Sequence, residues 1–127
     1  MSIIGFHHFQ LDAADVERTR RFYEALGGHM VQMMERPGGW KGYHIALCEG
    51  TVIEVQPPRL PGQCGGADGW DHIALEVDDC AAACAAIEAA GGRVEKYPTA
   101  NRLGERPIYN AVAYGVDGEK LEVIQLL

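Results

Sequence analysis

Positive charge is scarce in this chain. Eleven Lys and Arg stand against eighteen Asp and Glu, a formal net charge of −7. A phosphate backbone needs a basic face, so this balance excludes nucleic acid as the expected partner. It works equally against anionic membrane surfaces. Long apolar runs are also missing, and no stretch approaches the ~20 residues of a membrane-spanning helix. No basic leader followed by an apolar core opens the chain, so no secretory signal is expected. Cysteines are few, and none forms a CxxC pair: they are Cys48, Cys64, Cys80 and Cys84. They read as reduced thiols of a cytoplasmic protein. Cys80 and Cys84, four residues apart, would share one helix face. Buried small side chains are the preferred reading there over a redox pair or soft metal site.

What is present is an ordinary globular composition and an internal repeat. The hydrophobic share is 47% and the charged share 23% over 127 residues. Those values suit a single compact domain able to bury a core without disulfides. When 6–28 is set beside 70–92, His8 falls on His72, Leu11 on Leu75, Asp15 on Asp79 and Glu24 on Glu88. Ala25 falls on Ala89, and the pair Gly27-Gly28 on Gly91-Gly92. Further on, Gly50-Thr51-Val52-Ile53-Glu54-Val55 matches Gly118-Glu119-Lys120-Leu121-Glu122-Val123. Two distant blocks recurring in one order mark a duplicated module, too long and too few for a solenoid.

Each half opens with a period-two strand, Phe6 to Leu11 and Asp71 to Val77. Asp15 and Asp79 follow as N-caps. The helices they begin run to about Leu26 and Ala90, and each ends in a Gly-Gly pair, as helix C-termini often require. Three strands complete each half: His29 to Met34, Gly42 to Cys48 and Thr51 to Gln56, then Arg93 to Tyr97, Ile108 to Tyr114 and Lys120 to Leu126. The fold class is therefore α+β, with the order βαβββ twice. Module one spans 1–57, a linker rich in proline and glycine spans 58–69, and module two spans 70–127. Arg36 to Trp40 and Thr99 to Arg106 read as turns.

Strand alternation orients the chemistry. If Phe9, Leu11, Ile73 and Leu75 face the helices, His8 and His72 face the other side of the sheet. Ile53, Val55, Leu121 and Val123 place Glu54 and Glu122 on that same side. A pseudo-twofold pairing of the halves would bring two His and two Glu together. Such a set suits one divalent ion, Ni, Zn, Co, Mn or Fe, and a six-coordinate ion would keep two positions for water or substrate oxygens. It would polarise a carbonyl as a Lewis acid, and a carboxylate ligand could serve as general base. One lone His or Glu in a strand is commonly a plain surface or core residue, but a buried His–Glu cluster without an ion would be costly to desolvate.

These segments resemble a known family. Phe6-His7-His8-Phe9-Gln10-Leu11 and Trp70-Asp71-His72-Ile73-Ala74-Leu75 are similar to the strand openings of vicinal oxygen chelate modules. Arg21-Phe22-Tyr23-Glu24-Ala25-Leu26-Gly27 is similar to that superfamily's helix end. Val52-Ile53-Glu54-Val55 and Asp117-Gly118-Glu119-Lys120-Leu121-Glu122-Val123 resemble its two ligand strands. The resemblance covers nearly the whole chain. It implies an open eight-stranded barrel-like sheet around the metal, and a homodimer. A His at both strand starts and a Glu at both strand ends look most like glyoxalase I. That implies His8, Glu54, His72 and Glu122 as metal ligands, and Glu122 or Glu54 as the catalytic base for proton transfer next to a metal-bound carbonyl of a small substrate.

Two departures fall where glutathione would bind. Asp12 stands where glyoxalase I has an arginine, and Pro57-Pro58-Arg59 replaces the stretch with its asparagine. His44, Tyr109 and Asn110 are the candidate substrate-binding residues. His44 should face the cavity, and one of Tyr109 and Asn110 should line it. The expected activity is a glyoxalase-like lyase, isomerase or epimerase. The alternatives are a non-catalytic, ligand-sequestering protein of the bleomycin-resistance type and an extradiol dioxygenase.

Overall fold

The computed structural model describes residues 1, 7–58, 72–103 and 106–127. Phe6, Arg59, Trp70, Asp71, Cys64 and most of the expected linker lie outside the described residues. The chain divides into two compact units, Met1–Ala67 and Asp68–Leu127.

The first unit runs β1 (Phe9–Asp12), α1 (Val16–Ala25), β2 (His29–Arg36), β3 (Trp40–Cys48) and β4 (Thr51–Gln56). Its sheet has the order β1-β4-β3-β2. β1 lies parallel to β4, while the other neighbours are antiparallel. α1 begins where the Asp15 carboxylate accepts the Arg18 amide at 3.1 Å, which satisfies an otherwise orphaned donor of the first turn. Thr19, Phe22 and Tyr23, spaced three and four apart, form its buried face. The helix ends as Gly27 takes a φ of 100°, a conformation that costs glycine little. α1 packs on β3 and β4, against Tyr43, Ile45, Ile53 and Val55, all essentially buried. Each such aliphatic side chain contributes about 1.5–3 kcal/mol by leaving water.

The second unit repeats the plan with β5 (Ile73–Glu76), α2 (Cys80–Ala89), β6 (Arg93–Leu103), β7 (Arg106–Tyr114) and β8 (Lys120–Leu126). Its sheet order is β5-β8-β7-β6. Asp79 caps α2 by accepting the Ala82 amide at 2.9 Å. Cys80, Cys84 and Ile87 form the buried stripe, and Ala111, Ala113, Leu121 and Val123 form the sheet side of the core. The βαβββ order expected from the repeat is thus the architecture of both units.

Four expected boundaries need correction, one of them that of β7, which starts at Arg106 and not at Ile108. β2 extends to Arg36 and β3 starts at Trp40, in register with each other, so the turn shrinks to 37–39. Gly38 and Gly39 supply its positive φ angles, and the Arg36 guanidinium lies 4.4 Å from the centre of the Trp40 indole. β6 continues through Thr99-Ala100-Asn101-Arg102, which reads as loop because it is polar and exposed. Pairing with β7 as far as Leu103↔Arg106 gives that backbone its partners. Pro98, which cannot donate to a ladder, sits where the register shifts between Lys96 and Thr99.

Candidate metal centre

In the first unit, β4 sets the position of Glu54. Its neighbours Ile53 and Val55 are buried under α1, so alternation turns Glu54 to the opposite face. Register fixes what meets it there. Gln10 of β1 and His44 of β3 are its direct partners across the sheet. His8, two residues before Gln10, shares that face. The result is a carboxylate bracketed by two imidazoles. His8 Nε2 is 3.0 Å from Glu54 Oε2, and His44 Nε2 is 3.4 Å from Glu54 Oε1. The two rings lie 5.4 Å apart, tilted by 33°. One ligand atom from each of His8, His44 and Glu54 falls within 4.8 Å of the others.

These groups are largely withdrawn from water, with side-chain exposures of 32% for His8, 18% for His44 and 15% for Glu54. Among the described residues, His44 Nε2 is buried and has no hydrogen-bond partner. An orphaned buried nitrogen costs about 1–3 kcal/mol. The nitrogen stands 3.4 Å from the Glu54 carboxylate without hydrogen-bond geometry, and a bound cation would satisfy both groups. Two imidazoles and one carboxylate form a donor set suited to Fe, Zn, Ni, Co or Mn. The residues present therefore fit a divalent metal. His8 Nδ1 also stands 2.7 Å from His7 Nδ1, so its second nitrogen is engaged, as it commonly is in a metal-binding histidine.

The second unit repeats the pair but not the trio. His72 Nε2 lies 3.0 Å from Glu122 Oε2. Ala74 and Val112 face Glu122 in register. Val112 thus holds the place that His44 holds opposite Glu54. The other carboxylate oxygen, Glu122 Oε1, accepts the Asn110 side-chain amide at 3.1 Å. Asn101 donates in turn to Asn110 Oδ1 at 3.4 Å. Asn110 is 8% exposed, a buried polar residue held by this chain of contacts.

The structure therefore brings His8, His44 and Glu54 together in one unit, and His72, Glu122 and Asn110 in the other. Tyr109 is not brought to either group. It pairs with Gln125 on the α2 side of the sheet, where Gln125 Oε1 accepts the Cys80 amide, and the residue is 41% exposed. Strand alternation forced the choice between Tyr109 and Asn110, and Asn110 is the one beside the carboxylate. Asp12 shares the face of His8 and Gln10, and accepts the Gln10 amide at 2.9 Å. It adds negative charge to that face.

Sequence reasoning placed His44 on the right face but not against Glu54. The β3–β4 register is the missing signal. It can be read from the repeat only by noting that His44 and Val112 stand at equal distances before their glutamates.

The cysteine pair has a different character. Cys80 and Cys84 are 1% and 2% exposed, and burial pushes both thiols up from their ordinary range. Protonated, enclosed thiols are poor nucleophiles and poor metal ligands. They act as small core side chains, with Cys80 Sγ 3.6 Å from the Val123 carbonyl.

The chain's likeness to known proteins agrees with this geometry. The sequence model of the Glyoxalase/Bleomycin resistance protein/Dioxygenase superfamily matches residues 5–123. A probable lactoylglutathione lyase of Vibrio parahaemolyticus is 30% identical over 127 residues, covering 93% of this chain and 88% of its own. One from Synechocystis is 29% identical over 124 residues, covering 93% and 92%. A glyoxalase family protein from Bacillus cereus has the same fold, with a TM-score of 0.81 over 100% of this chain and 97% of its own, at 12% identity.

Proposed function

Because this chain belongs to the Glyoxalase/Bleomycin resistance protein/Dioxygenase superfamily, we propose that it is a divalent-metal-dependent lyase, isomerase or epimerase that moves a proton next to a carbonyl of a small substrate. The observation that carries this reading is the donor cluster of His8, His44 and Glu54, with its orphaned His44 nitrogen. The relatives named as lactoylglutathione lyases support the reaction class.

The proposed ligands are His8 and Glu54 of the first unit and His72 and Glu122 of the second. A Ni, Zn, Co, Mn or Fe ion held by them would stabilise negative charge developing on a substrate oxygen. The proton itself is taken by a carboxylate, Glu122 or Glu54, close enough to reach the carbon beside the carbonyl. Asn110 and His72 hold the two oxygens of Glu122 in a fixed orientation. Asp12 disfavours a carboxylate-bearing substrate on the face it shares with His8. An uncharged or weakly charged hydroxycarbonyl compound therefore fits better than a glutathione conjugate. The same reading takes 1–127 as a single cytoplasmic domain acting as a homodimer.

The test offers metal-loaded protein small α-hydroxy ketones and thioesters in D₂O, with exchange at the carbon beside the carbonyl followed by NMR. Exchange in the wild type, reduced by about 10²–10⁴-fold in Glu122→Gln or Glu54→Gln, is expected. No exchange with any of these compounds would remove the proton-transfer reading. One observation favours a second reading. The set of His8, His44 and Glu54 is a 2-His-1-carboxylate group of the kind used by non-haem iron oxygenases. Oxygen uptake with a catechol and Fe²⁺ would mark an extradiol dioxygenase instead.

A further inference from the structure

The two units carry the same His–Glu pair but surround it differently. Opposite Glu54 stands His44, and opposite Glu122 stands Val112. Two residues earlier on the same strand and face, the difference is reversed. Asn110 stands in the second unit and Gly42 in the first. A Cβ on Gly42 would come within 2.8 Å of the Trp40 ring and 3.0 Å of the Val55 carbonyl, so the indole and backbone close that place to any side chain. The first unit thus has an imidazole nitrogen opposite its carboxylate, and the neighbouring Gln10 amide is turned to Asp12. The second has an amide donor and, opposite its carboxylate, only a hydrocarbon.

These arrangements suit different tasks. A carboxylate flanked by two imidazole nitrogens, one of them buried without a hydrogen-bond partner, is a chelating group. A carboxylate whose Oε1 accepts an amide and whose Oε2 faces a histidine is held in place. We infer that His44 is a metal donor beside His8 and Glu54, a ligand that the repeat does not supply opposite Glu122. This inference rests on the metal-dependent reading above. It gives the first unit a donor that the second, with Val112 in that place, does not have.

The test uses the full-length protein and Co²⁺ alone, followed by visible absorption and by competition with a chelator. His44→Val places in the first unit the residue that the second already carries. It is expected to weaken Co²⁺ binding by at least about tenfold and to shift the d–d bands, because a nitrogen donor is lost. The melting temperature of the metal-free variant should be equal to or above that of the wild type, since an orphaned buried nitrogen has been removed. His44→Gln serves as the second variant if valine prevents folding, and the same band shift is expected of it. A histidine that merely supports a ligand would cost about 10–100-fold in affinity while leaving the bands in place, so unchanged bands would overturn the inference. Wild-type binding by His44→Val, with binding lost in His72→Ala, would overturn the role of His44 and leave the proposed metal dependence standing. Wild-type binding by His44→Val, His8→Ala and His72→Ala alike would overturn both.

Discussion

Glu17 is the residue through which α1 grips β3. Its carboxylate accepts the Tyr43 hydroxyl and pairs with Arg20, which also reaches Glu24 at 2.9 Å. The Tyr43 hydroxyl, ahead of the Arg20 guanidinium, holds the Glu17 carboxyl below the usual glutamate range against an opposing effect of burial. A depressed carboxyl contributes stability that is complete above its unfolded pKa and is lost as pH falls through the folded value. Tyr43→Phe should therefore cost about 1 kcal/mol near neutral pH and flatten the acid side of the stability profile. Urea denaturation across the acid range measures both. Identical acid slopes in variant and wild type would contradict the assignment. In the same way, Cys80 and Cys84 should resist thiol reagents in the native protein and react on unfolding, whereas exposed Cys48 should react at once. The chemistry-bearing residues were legible at this scale where alternation decided the outcome. Glu54 and Glu122 face away from the buried neighbours on either side of them. The contact of His44 with Glu54 was not legible, because it depends on which residue of a neighbouring strand stands opposite.

The helices are held by their first turns and by the glycines that follow them. Asp15→Ala and Asp79→Ala each remove a cap and should each cost about 1 kcal/mol of stability. Because the caps lie in different units, the two losses should add in thermal denaturation of the double variant. Gly28 has a stricter role than a helix stop. A Cβ there would meet the Tyr23 carbonyl at 2.9 Å, the Ala46 carbonyl at 3.2 Å and the Ile45 side chain at 3.3 Å. Two of those three are backbone atoms that cannot turn aside, so Gly28→Ala should destabilise by about 1–3 kcal/mol. A melting temperature unchanged in that variant would show that α1 and β3 can separate more easily than their packing implies. Element identity and order were readable from periodicity, N-caps and the Gly-Gly pairs. The ends of β2, β3, β6 and β7 were not. Their outer residues lack a period-two apolar pattern, and pairing across the hairpin makes them strand.

At the scale of the molecule, the protein is a duplicated unit whose copies have diverged at the positions that matter for chemistry. The fold was legible because duplication repeats the structural signals: cap, helix, glycine pair and buried strand positions recur in both halves. Divergence between the copies is harder to read, since a change from His44 to Val112 looks like ordinary drift until the register places both opposite a glutamate. Acidic balance and glutathione chemistry meet at this level too. With a net charge of −7 and Asp12 on the face of His8, the protein should turn over glutathione conjugates poorly compared with uncharged hydroxycarbonyl compounds. Side-by-side rates on the two substrate classes check this. The central proposal is that the chain holds a divalent ion through His8, Glu54, His72 and Glu122. The most direct test is elemental analysis of protein purified without chelator or nickel resin, for the wild type and for His72→Ala. About one Ni, Zn, Co, Mn or Fe per chain in the wild type, largely lost in the variant, is the expected result. A wild type free of metal even after reconstitution, or a His72→Ala protein that retains its full complement, would contradict it.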